Sequence, residues 1–134
     1  MSILIPVLVA ALAVIAVIHA LWGFGIWVPI SDEARLVRAV VGARDTTRMP
    51  GPIPCGLVAA GLIVIIGAIF APDTFIRGFI LWSAGIVLML RGVLTWVPVW
   101  RVMTPVEPFA TLDRWVYSPL CLALGIGIIC VVAA

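Results

Sequence analysis

Polar residues fall in a few short clusters along this chain, and four long apolar stretches run between them. A helix needs about 20 residues to cross a hydrocarbon core of roughly 30 Å. The pattern therefore predicts four transmembrane helices, over about 3–28, 53–70, 74–97 and 112–133. In the first, Ala13, Ala16, Ala20 and Gly23 form a small-residue stripe at helical spacing, which lets a second helix approach closely. Gly56 and Ala60 make a similar pair in the second. The last span has two readings. Ser118-Pro119 resembles a cap with proline at the first helical position, but that start leaves only about 16 residues, roughly 24 Å of helix. A start at Leu112, capped by Thr111, gives the length and is preferred. It puts Pro119 inside the helix, frees the carbonyl of Trp115 and is expected to kink the helix there.

The only sizeable loop runs from Ile30 to Pro54. Ser31 can cap a short helix with Asp32 and Glu33 in its first turn, and Gly42 can end it. Leu36, Val37, Val40 and Val41 share one face of that segment, the pattern of an amphipathic helix at the membrane interface. The expected fold is all-α: one four-helix transmembrane bundle with a short interfacial helix in its first cytoplasmic loop.

Composition supports this. The 134 residues are 65% hydrophobic and 10% charged, and the mean hydropathy is +1.33, far from the roughly one-quarter charged residues of a soluble domain. The four spans leave no length for a soluble domain, and the first apolar run exceeds the ~7–15 residues of a signal-peptide core, so it reads as a retained helix. The net charge of +2 gives no reason to expect a nucleic-acid partner. Arg35, Arg38, Arg44, Arg48, Arg101 and Arg114 lie on one side of the predicted spans and Arg77 alone on the other. The positive-inside rule then puts both long loops in the cytoplasm of a bacterial inner membrane and both termini outside. Trp22, Trp27, Trp96, Trp100 and Trp115 gather toward the loop end, like an aromatic belt.

Polar residues within membrane spans are costly and mark functional sites by default. The candidates for ligand binding are His19, Trp22, Arg91, Asp113 and Tyr117, which alternating topology brings to the cytoplasmic half of the bundle. Trp22 follows His19 by three residues, on the same helical face. Asp113, Tyr117 and Cys121 succeed one another at four-residue spacing, and Ser83, Val87 and Thr95 fall roughly in line with Arg91. Each has a plainer role as well. Arg91 can snorkel to the headgroups, His19 can bridge helices, Asp113 can complement a helix dipole, and Tyr117 can sit in the belt. A single histidine cannot supply the two ligands of a membrane b-haem. The three cysteines lack redox or zinc spacing, so no cofactor or metal is expected. There is no nucleophile–base pair, no paired intramembrane carboxylates and no phosphate loop.

The motifs His19-x-x-Trp22-x-x-Gly25, Trp27-x-Pro29, Val41-Gly42, Met49-Pro50, Phe109-x-x-Leu112-Asp113 and Tyr117-Ser118-Pro119-Leu120-Cys121 resemble the bacterial membrane family called domain of unknown function 3995. The resemblance covers nearly the whole chain. It implies a small four-helix membrane protein and supplies no activity. Family members often carry Gly-Asp where this chain has Leu94-Thr95, which removes an acidic partner for Arg91 on its own helix and leaves Asp113 as the nearest. The leading expectation is a binding or accessory protein that holds a membrane lipid or a small anionic or amphipathic ligand in a cytoplasm-facing pocket. A small transporter subunit working as a homo-oligomer or in a larger complex is the alternative from another class. An enzyme acting on a lipid or isoprenoid is the least supported.

Overall fold

The computed structural model describes residues 3–134. Helices and connecting turns make up all of them, with no strand among the described residues. Four helices are long and apolar enough to cross a membrane: α1 (Leu4–Gly23), α3 (Pro52–Phe70), α4 (Phe75–Leu94) and α6 (Phe109–Ala133). Two short helices lie in the loops, α2 (Glu33–Val40) and α5 (Pro98–Met103).

Local chemistry sets the ends. α1 stops before the Val28 limit of the hydrophobic run because Gly25 adopts φ +76°, a left-handed conformation that suits glycine. The Gly25 N–H donates to the Trp22 carbonyl and that of Ile26 to Leu21, the paired bonds of a Schellman ending. His19 and Trp22 therefore belong to the last turns of α1. The cap of α2 is Asp32 rather than Ser31: its carboxylate accepts the Arg35 N–H at 2.8 Å, satisfying a first-turn donor. Pro98 does more than end the third span. It opens α5, where its missing N–H costs nothing.

α6 keeps Pro119 inside one continuous helix, and its first turns explain how. Asp113–Tyr117 form a π-helical turn, with the Ser118 N–H donating to the Asp113 carbonyl. In a regular α-helix the ring of Pro119 meets the carbonyl four residues earlier. Widening the turn moves that carbonyl aside. The Glu107 carboxylate accepts the Thr111 N–H at 3.2 Å and steadies the start of α6.

The long helices pack as two antiparallel pairs, α1 with α3 and α4 with α6. The second pair is the tighter. A Cβ on Gly92 would lie 2.6 Å from Leu122, and one on Gly125 would lie 2.8 Å from the Gly85 carbonyl. Ser118 Oγ adds a hydrogen bond to the Gly92 carbonyl. The two pairs meet mainly through Leu8, Leu12, Ala68, Ile69, Leu81, Ile128 and Val131. These residues come from the start of α1, the end of α3, the start of α4 and the end of α6, which all lie at one end of the molecule. Toward the loop end the pairs part.

α2 covers that loop end. Its apolar side chains Leu36 and Val37 are buried against the protein, so the amphipathic face meets the helix pairs. Tyr117 Oη donates to the Ala39 carbonyl at 2.9 Å, and the Val106 N–H donates to the Gly42 carbonyl at 3.2 Å. Gly42 has φ +67°, and Phe109 packs where its Cβ would stand. A side chain there would meet both strain and a clash.

Candidate functional site

The site begins with a carboxylate inside the helix assembly. Asp113 is only 2% exposed. Its Oδ1 accepts from Arg91 Nη2 at 2.6 Å. Its Oδ2 accepts from Thr95 Oγ1 and, at 2.9 Å, from Trp100 Nε1. Three donors from the end of α4 and from α5 thus converge on one group at the start of α6. Arg91 Cζ stands 5.0 Å from the centre of the Trp100 ring, close enough for cation–π attraction. Arg91 Nη1 is buried without a hydrogen-bond acceptor, and the indole face beside the guanidinium offsets part of that cost. The pair is neutral as a unit, which lowers the cost of holding two charges near the edge of an apolar layer.

Between the helix pairs, where they diverge, lies a cavity of about 520 Å³. Its walls are mostly apolar, with Ile15, Leu62, Leu88 and Leu124 among them, and Val40 of α2 reaches in from the loop side. His19, Trp22, Arg91, Tyr117 and Cys121 supply the polar atoms. The rings of His19 and Trp22 lie 4.9 Å apart, and Trp22 Nε1 donates to the Val28 carbonyl at 2.7 Å. His19 and Trp22 also face a second, smaller cavity of about 150 Å³ beside Met49, Pro50 and Cys55.

Four of the five residues singled out from sequence therefore share one cavity, and the fifth, Asp113, stands behind Arg91. Asp113 borders a separate polar depression of about 270 Å³ on the loop face, with Arg101, Thr104, Glu107 and Arg114. The Arg91–Asp113 pair thus lies between an apolar cavity and a polar one. From sequence, Thr95 falls in line with Arg91 and Trp100 in the aromatic belt, with no site role for either. A donor three or four residues beyond an intramembrane arginine is the signal that could have found Thr95. Nothing in the spacing points to Trp100, because α5 carries it back to Asp113. Among the described residues no three His, Cys, Asp or Glu side chains gather as a metal site.

Residues 12–128 match the sequence family described as protein of unknown function (DUF3995), and the chain belongs to that family. No curated protein and no solved structure matches the chain.

Proposed function

We propose that this member of DUF3995 is a membrane protein that holds an amphipathic, lipid-like molecule between its two helix pairs. The observation that carries this reading is the cavity of about 520 Å³, within the ~300–1,000 Å³ of ordinary ligand pockets. Its walls would take an apolar tail, and His19, Arg91 and Tyr117 would meet the polar end. α2 would close the loop side over the bound molecule. In this reading the protein sits in a bacterial inner membrane with the loop face in the cytoplasm, where six of the seven arginines outside the spans' interior would lie.

Native mass spectrometry of the protein released gently from its membrane tests the reading. The wild type should retain a lipid-sized adduct. Leu88→Trp, which fills the cavity from α4, should stay folded and lose it. Equal retention by both would place the adduct on the outer surface and refute the reading.

A further inference from the structure

The hydrogen bonds around the cavity narrow the chemistry of its occupant, if the lipid-binding reading above holds. His19 Nδ1 lies 2.9 Å from the Ile15 carbonyl oxygen. That oxygen can only accept, so Nδ1 is the donor in this contact, and in the tautomer with its proton there Nε2 offers a lone pair. None of the described protein hydrogen bonds uses Nε2. The Tyr117 hydroxyl has given its hydrogen to the Ala39 carbonyl, so its oxygen is left to accept. The Trp22 N–H is committed to Val28. His19, Tyr117 and Trp22 therefore offer two acceptors and no strong donor.

Beside the weakly donating Cys121 thiol, Arg91 is the strong donor, and its charge is matched by Asp113 at 2.6 Å. An anionic head would compete with Asp113 for the guanidinium and would lie close to a carboxylate. A hydroxyl meets neither difficulty. Its hydrogen can go to His19 Nε2 or Tyr117 Oη, and its oxygen can accept a free N–H of Arg91, since guanidinium carries five. We infer that the occupant is an uncharged lipid whose head is a hydroxyl, and that His19 Nε2 is the acceptor that selects it.

Three probes with one tail test this. The purified protein is offered an equimolar mixture of hexadecanol, methyl palmitate and palmitate, and the bound fraction is read by native mass spectrometry. Hexadecanol should exceed methyl palmitate by about two- to tenfold, the worth of one net hydrogen bond, with palmitate lowest. His19→Phe should level the alcohol and the ester. Palmitate bound as well as or better than the alcohol would overturn the inference and leave the cavity reading standing. Alcohol and ester bound equally by the wild type would also overturn it. Failure to retain any of the three would remove the cavity reading itself. The wild-type competition decides the matter even if His19→Phe does not fold.

Discussion

Asp113 receives hydrogen bonds from Arg91, Thr95 and Trp100, so a single carboxylate joins the end of α4, the loop helix α5 and the start of α6. Truncating it strands the Arg91 guanidinium without its counter-charge. Breaking one side of a fully buried pair costs about 3–5 kcal/mol. The Arg91 side chain keeps 30% of its surface exposed, so Asp113→Ala should cost about 2–3 kcal/mol here. Arg91→Ala should cost a similar amount, and the double mutant clearly less than the sum. Thermal unfolding in detergent measures all three, and strictly additive losses would mean the pair is not coupled. Arg91, Asp113, His19, Trp22 and Tyr117 were legible in sequence because so few polar side chains interrupt the apolar runs. Thr95 and Trp100 were not, because a threonine near a helix end and a tryptophan near the interface already have ordinary explanations.

At the scale of elements, the existence of four long helices followed directly from apolar length, while their ends and closest contacts needed coordinates. The alanine stripe of α1 drew notice by its spacing, yet the tightest approach is between α4 and α6 at Gly85, Gly92 and Gly125. Gly85 and Gly92 stand seven residues apart, two turns along one face, and small-xxx-small patterns pass over that spacing. A methyl on Gly125 would meet both the Gly85 carbonyl and Met89 at 2.8 Å. Gly125→Ala should therefore destabilise by about 1–3 kcal/mol through overpacking. Gly61→Ala on α3 faces open space and should cost nothing. If the two variants melt alike, the α4–α6 contact is looser than described. The π-helical turn was only half legible. Pro119 announces a disturbance, and the structure takes it up as a wider turn in which Arg91 holds Asp113 and the Ala39 carbonyl holds Tyr117.

For the whole molecule, one end is packed and the other is open. The core side chains cluster where the chain termini and the α3–α4 turn lie, and the polar cluster and cavity lie under the loops. That asymmetry was not readable from the sequence, because it depends on the angle between helix pairs and on α2 folding its apolar face inward. The arginine asymmetry predicts that the open end faces the cytoplasm. A phosphatase fused after Ala134 should be active in the periplasm, and a fluorescent fusion protein glowing at that position would reverse the orientation. A lipid tail held between the pairs would react with the walls around it, and photolabelling by a lipid with a diazirine in its tail reads out those contacts. Adducts are expected on Ile15, Leu62, Leu88 and Leu124, which line the cavity. Adducts confined to the outward-facing Val14, Ile63 and Ile86, which are 58%, 62% and 48% exposed, would contradict it.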